Sequence, residues 1–132
     1  MAAVEVLKEM RGNRKIAVLG DMLELGKFTE EEHNNLGINV APVADILIVV
    51  GPRAKFIAEG ALNKGFKKKD LYSFDSSITA AKFLEGIVEK GDLILIKGSQ
   101  GVRLERAVGA IMAHKEDKYR LLCRQEKEWQ AR

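Results

Sequence analysis

Short apolar runs at Ile16–Leu19, Ile46–Val50, Leu71–Phe74 and Leu93–Ile96 stand out from an otherwise mixed chain. Runs that are continuous rather than alternating predict strands covered on both faces, as in a parallel sheet. Elsewhere apolar residues recur at helical spacing: Ala3, Val6, Leu7 and Met10; Ala54, Ile57, Ala58, Ala61 and Leu62; Ala80, Phe83, Leu84, Ile87 and Val88; Leu104, Ala107, Val108, Ile111 and Met112. Each set lies along one stripe of a helix, which turns toward a sheet. A further helix is expected from Thr29, because Thr29 and Glu32 have capping-box spacing, running to about Val43 with a bend at Pro42.

Helix and strand alternating in this way predict a doubly wound, Rossmann-like α/β fold with a mostly parallel sheet and helices on both faces. Residues 1–114 are expected to form that single domain. The tail 115–132 differs in character, setting Tyr119, Leu122 and Trp129 among many charges, and is expected to be a surface helix.

Composition narrows the class. With 132 residues the chain can bury one ordinary core, and 46% apolar with 31% charged residues suits a folded, soluble domain. Twenty-two Lys and Arg against 19 Asp and Glu leave a net charge of only +3. The Lys67-Lys68-Lys69 run has no interleaved aromatic residues, so a solvated turn is expected there rather than a nucleic-acid patch. A single cysteine, Cys123, excludes an intramolecular disulfide and any multi-cysteine metal site, which suits a reducing compartment and points to the cytoplasm. No apolar run approaches the ~20 residues of a membrane-spanning helix.

In an open parallel sheet, ligands bind beyond the carboxyl ends of the strands. Gly20-Asp21-Met22-Leu23-Glu24-Leu25-Gly26 follows the first strand, a glycine-bounded loop with two carboxylates; an ordinary connecting loop in which Asp21 satisfies local amides would look the same. Gly51-Pro52-Arg53 follows the second, with Gly51 as a turn, Pro52 at the first helical position and Arg53 facing solvent. Lys97-Gly98-Ser99-Gln100-Gly101 follows the fourth and opens a helix, where amides, the Ser99 hydroxyl and the Lys97 ammonium could hold an anion; a Gly-Ser helix cap is the plain alternative. His33 and His114 have no ligand-spaced partner, so no metal site is expected, and Cys123 has no partnered histidine. Neither a Gly-x-x-x-x-Gly-Lys-Ser/Thr phosphate loop nor a Gly-x-Gly-x-x-Gly fingerprint occurs, so a self-contained ATPase or dehydrogenase is not expected.

Lys15 to Gly26, followed by Glu31-Glu32-His33 and Leu36-Gly37, together with Lys97-Gly98-Ser99-Gln100-Gly101-Val102-Arg103-Leu104-Glu105-Arg106, resembles the C-terminal domain of Mur-type peptide ligases, in the branch that accepts D-alanyl-D-alanine. The resemblance spans about residues 1 to 113. Gln100 stands where that branch usually has Arg, which weakens a phosphate role at that position. Met1 to Leu7 resembles the helix that follows the family's interdomain linker, so the chain is expected to begin just past it.

The resemblance implies a three-domain enzyme in which one domain binds the UDP-muramoyl tripeptide, a central ATPase domain carries ATP and magnesium, and this domain binds the incoming dipeptide and places its amine by closing over the central domain. By that implication Asp21, Met22, Glu24, Lys97, Gly98, Ser99 and Gln100 bind substrate, His33 and Arg103 line the site, and no residue here is itself catalytic. The domain alone is expected to hold no cofactor and no metal, to contact neither nucleic acid nor membrane, and to be inactive. Two alternatives stay open: a stand-alone α/β binding or regulatory module, and the C-terminal domain of another Mur ligase or a folylpolyglutamate synthase. A receiver-like module fits poorly, since Gly51 stands where a receiver's strand would end in Asp.

Overall fold

A computed structural model describes residues 14–20, 29–89, 92–97 and 119–124. In chain order they form β1 (Lys15–Gly20), α1 (Thr29–Val40), β2 (Ile46–Val50), α2 (Lys55–Asn63), a 3-10 turn (Lys68–Asp70), β3 (Leu71–Phe74), α3 (Ser77–Ile87), β4 (Asp92–Lys97) and β5 (Tyr119–Arg124). The helices expected from Ala3 and from Leu104 lie outside the described residues.

The strands make one sheet in the order β3-β2-β1-β4-β5, and every described pairing is parallel. From β1 the chain steps outward through β2 to β3, then returns to the other side of β1 as β4. Helix placement follows that reversal. Ala17 and Leu19 of β1 and Leu47 and Val49 of β2 pack with Leu36 and Val40 of α1 and Ile57 and Ala61 of α2. The alternate residues Ile16, Val18, Ile46, Ile48 and Val50, with Ile94 and Ile96 of β4, pack on the opposite face against Ala80, Ala81 and Leu84 of α3. β1 and β2 are thus apolar on both faces because helices cover both, as the unbroken runs predict.

Helix ends follow local chemistry. Ser76 caps α3, its hydroxyl accepting from the Thr79 N–H at 3.2 Å. Three glutamates, Glu30 to Glu32, occupy the first turn of α1, where negative charge favours the helix dipole. α1 stops at Val40, three residues short of the expected end, because Pro42 disfavours helical backbone at Ala41; the Val43 and Ala44 amides instead both bond to the Val40 carbonyl. α2 begins at Lys55, so Pro52 lies in the preceding turn rather than at the first helical position.

Where α1 and α2 cross, glycine faces backbone. A β-carbon at Gly37 would meet the Ile57 carbonyl oxygen and come within 2.8 Å of the Ala61 nitrogen; one at Gly60 would meet the Asn34 carbonyl. Two glycines on facing helices therefore set the separation of this layer.

The expected C-terminal helix is corrected by β5. Tyr119-Arg-Leu-Leu-Cys-Arg124 pairs along the whole of β4, from Asp92 opposite Tyr119 to Lys97 opposite Arg124. The pairing satisfies the outer edge of β4, whose backbone groups would otherwise lack partners. The sheet accordingly extends past residue 114, where the domain was expected to end.

At the amino-terminal rim, charge serves the fold. Asp92, fully buried, accepts from Arg14 Nε at 3.1 Å and Nη2 at 2.8 Å, and from the Glu89 N–H at 2.8 Å. The same guanidinium donates to the Ile87 carbonyl at 2.7 Å and pairs with Glu89 at 3.2 Å. The Asp92 hydrogen bond, outweighing the opposing effect of burial, raises the Arg14 pKa above its already high ordinary value. A raised cation is stabilising below its unfolded pKa, so Arg14 contributes fully at neutral pH and the contribution fades only as pH rises through the raised value. One strand over, Asp45 accepts from the Lys15 N–H at 2.8 Å and returns its own amide to the Lys15 carbonyl at 2.7 Å.

Candidate functional site

The carboxyl-terminal rim offers a different surface. β1 and β4 are hydrogen-bonded neighbours, with Leu19 opposite Lys97. Since the crossovers leave β1 in one direction and arrive at β4 from the other, this pair is the topological switch point of the sheet, where an open α/β fold leaves a crevice. Gly20, the last residue of β1, is buried, and the chain passes from it directly into Asp21. Lys97, the last residue of β4, is half-buried and leads directly into Gly98.

Of the residues singled out from sequence, Lys97 is therefore at the switch point itself. Asp21, Met22, Glu24, Gly98, Ser99, Gln100 and Arg103 lie outside the described residues, and each follows within a few positions of β1 or β4. His33 lies in the first part of α1, fully buried on the helix face it shares with Leu36, Gly37 and Val40. That spacing turns the ring into the layer between helix and sheet, one turn from the segment that enters α1.

β2 ends beside this crevice. Gly51 takes φ of +106°, a conformation an L side chain rarely adopts, which turns the chain sharply out of the strand. Its N–H donates to the Phe74 carbonyl at 3.0 Å, and its own carbonyl accepts from Ala54 at 3.3 Å. Arg53 is thereby carried on a turn tied at both ends, exposed, next to the fully buried Ala54. The Lys67–Lys69 run is exposed and lies at the opposite rim, entering β3. An open cleft of about 260 Å³ also lies at that opposite rim, lined by residues including Asp45, Phe66, Lys67 and Asp70. Its Asp45 carboxylate already accepts a backbone amide, and the cleft is a strand's length from the switch point. Among the described residues no three His, Cys, Asp or Glu side chains gather as a metal site, and no helix is long and apolar enough to cross a membrane.

Sequence reasoning missed the Arg14–Asp92 fork and the Gly37–Gly60 crossing. Neither had a local signal: the fork joins residues 78 positions apart, and a glycine inside a helix reads as a weak spot until the facing backbone is known.

Comparison with known proteins gives the family and the fold. Residues 1–100 match the model of the family described as "Mur ligase, glutamate ligase domain". The chain is 38% identical over 109 residues to a UDP-N-acetylmuramoyl-tripeptide–D-alanyl-D-alanine ligase of Bacillus subtilis, covering 81% of this chain and 24% of that protein. It is 33% identical over 108 residues to the ligase of the same name from Rickettsia prowazekii, covering 81% of this chain and 23% of that one. Among solved structures, MurF ligase from Thermotoga maritima in complex with ADP superimposes with a TM-score of 0.65 at 32% identity, over 86% of this chain and 25% of that one. MurF from Acinetobacter baumannii gives 0.68 at 30% identity, over 85% and 24%. The chain thus spans about a quarter of the length of the relatives it matches. With the family model covering most of its length, it belongs to the Mur ligase family, as the domain that model describes.

Proposed function

We propose that this chain is the dipeptide-binding domain of an ATP-dependent ligase that joins D-alanyl-D-alanine to the UDP-muramoyl tripeptide in peptidoglycan synthesis. The observation that carries the reading is the adjacency of the two strand ends, Leu19 opposite Lys97, from which the Gly20–Gly26 and Lys97–Gly101 motifs depart. The names of the relatives supply the substrate.

In the reaction, ATP phosphorylates the tripeptide carboxyl group; the dipeptide amine attacks the acyl carbon, phosphate leaves with the bonding pair, and the amine gives up a proton as the amide forms. Nothing in the 132 residues resembles a phosphate loop, so ATP and magnesium belong to the remainder of the enzyme and no step of phosphorylation falls to this chain. Its task is positioning. Ser99, with the amides that follow it, holds an oxygen of the dipeptide, and Asp21 orients the attacking amine. Fixing the amine converts an encounter into a near-unimolecular step, with up to ~7–11 kcal/mol available from orientation, and closure keeps water from the acyl phosphate. Met22, Glu24, Gly98, Gln100 and Arg103 complete the lining, while His33, fully buried between α1 and the sheet, is left out of it. The work is done in the cytoplasm, against the central ATPase domain, without nucleic acid or membrane.

The test joins this chain to the upstream part of the Bacillus subtilis ligase in place of the matching segment. Amide formation with D-alanyl-D-alanine, and little with D-alanine or D-glutamate, is expected. Ligation of a single amino acid in preference to the dipeptide would overturn the reading. The 132-residue chain alone is expected to turn over no ATP.

A further inference from the structure

Two large apolar side chains are exposed among the described residues, Ile78 at 58% and Leu62 at 39%. They stand at opposite rims. Leu62 is in the last turn of α2, which runs back toward the amino-terminal rim, whereas Ile78 is in the first turn of α3, just past the carboxyl end of β3. Ile78 has apolar neighbours at that rim. β2 and β3 end side by side, Val50 opposite Phe74, and the Gly51 N–H donates to the Phe74 carbonyl at 3.0 Å. That bond joins the turn carrying the exposed Pro52 to the strand end carrying the half-buried Phe74. Phe83 of α3 packs on Phe74, ring centroids 5.2 Å apart. Ser76 and Thr79 fix the turn between them: the Ser76 hydroxyl accepts from the Thr79 N–H at 3.2 Å, and the Thr79 hydroxyl donates to the Ser76 carbonyl at 3.0 Å. Pro52, Phe74 and Ile78 are thus held on neighbouring, tied turns, with the exposed polar residues Ser73, Asp75 and Lys82 around them.

We infer that Pro52, Phe74 and Ile78 form the face on which this domain meets the central ATPase domain of the same enzyme when the two close. The inference rests on the ligase reading above and adds to it the surface that closure uses. The partner follows from length, place and make-up. The chain spans about a quarter of the length of the relatives it matches, so most of the enzyme lies beyond it and has to meet it at some surface. The patch lies on the same rim as the switch point, the rim that must face the acyl phosphate if the dipeptide amine is to reach it. Its make-up, a few apolar side chains in a polar border, suits a contact between domains that is remade in every cycle rather than a permanent interface. With both turns already tied by hydrogen bonds, docking orders little that was free.

The test uses the ligase in which this chain replaces the matching segment of the Bacillus subtilis enzyme. Ile78→Asp places negative charge in the first turn of α3, where it suits the helix dipole, so the 132-residue chain alone should keep its melting temperature and its affinity for D-alanyl-D-alanine. In the joined ligase the same change should lower kcat about tenfold or more, because a carboxylate must be desolvated where an isoleucine was covered. Ile78→Leu should keep most of the native rate. Leu62→Lys, a charge equally suited to the end of its own helix but at the opposite rim, should keep all of it. An unchanged kcat in Ile78→Asp, or an equal loss in Leu62→Lys, overturns the docking face and leaves the dipeptide reading standing. Sedimentation of the native chain as a dimer that Ile78→Asp dissolves would assign the face to a second copy and overturn the inference as well. A joined ligase of otherwise native sequence that forms no amide overturns the ligase reading and this inference with it.

Discussion

The two ends of the same strands use charge in opposite ways. At the amino-terminal rim Arg14, Asp92 and Asp45 are engaged by the fold: a buried carboxylate takes both arms of a guanidinium and a backbone amide, and a second closes on the Lys15 backbone. At the carboxyl-terminal rim two of the central strands end in, or turn at, glycine, and the cations Arg53 and Lys97 flank the strand at the switch point. Parallel strands make this division natural. All their amino ends meet at one rim, where ties fix the register, and all their carboxyl ends meet at the other, where loops can vary without disturbing it.

A substitution in the layer that both rims rest on should have the largest effect. Gly60→Ala drives a methyl group into the Asn34 carbonyl, so α1 and α2 must separate; the expected loss is about 3 kcal/mol or more, at or past the top of the usual overpacking range, read by chemical denaturation. Asp92→Ala comes next and sharpens the comparison. It removes a fully buried acceptor from Arg14 and from the Glu89 amide, and about 3 kcal/mol should go, the low end for a broken buried pair because the Arg14 side chain keeps 29% exposure. Dipeptide affinity should barely change. Ser99→Ala should show the reverse, a KM for D-alanyl-D-alanine raised in the joined ligase by about 1–3 kcal/mol, roughly five- to a hundredfold, with the KM for ATP and the melting temperature held. Glu89→Gln should be nearly silent, within about 0.5 kcal/mol, since that carboxylate is 69% exposed and its backbone amide still reaches Asp92. An Asp92 variant that lost dipeptide binding while remaining folded would break the division between the rims.

Much of the frame was legible in the chain because parallel strands announce themselves by composition, although β3, at the sheet edge, is only partly buried and not covered on both faces as its run suggested. Ile46–Val50 and Leu71–Phe74 form strands with those limits, and Ile16–Leu19 and Leu93–Ile96 each extend by one residue at either end. β5 was not legible. Its Arg120 and Arg124 break the apolar pattern, and the feature that makes it a strand is the open edge of β4, a partner more than twenty residues away. The amphipathic stripes of α2 and α3 were legible in outline, though Leu62, placed on the buried face of α2 by its spacing, is 39% exposed while its neighbour Ala61 is fully buried. At the candidate site, sequence pattern picked out the motifs after β1 and β4, and a parallel sheet was enough to expect them side by side at one rim, since both follow strands at their carboxyl ends; the direct pairing of β1 with β4 agrees for the strands that carry them.

The most direct test of the division between rims is a titration of the isotopically labelled chain with D-alanyl-D-alanine, followed by amide NMR shifts. Shifts should concentrate at Gly20, Gly51, Lys97 and the residues just past β1 and β4, while the Asp45, Leu93 and Asp92 amides stay put. Shifts centred instead on Asp45, Gly65 and Asp70, at the amino-terminal rim, would contradict the account.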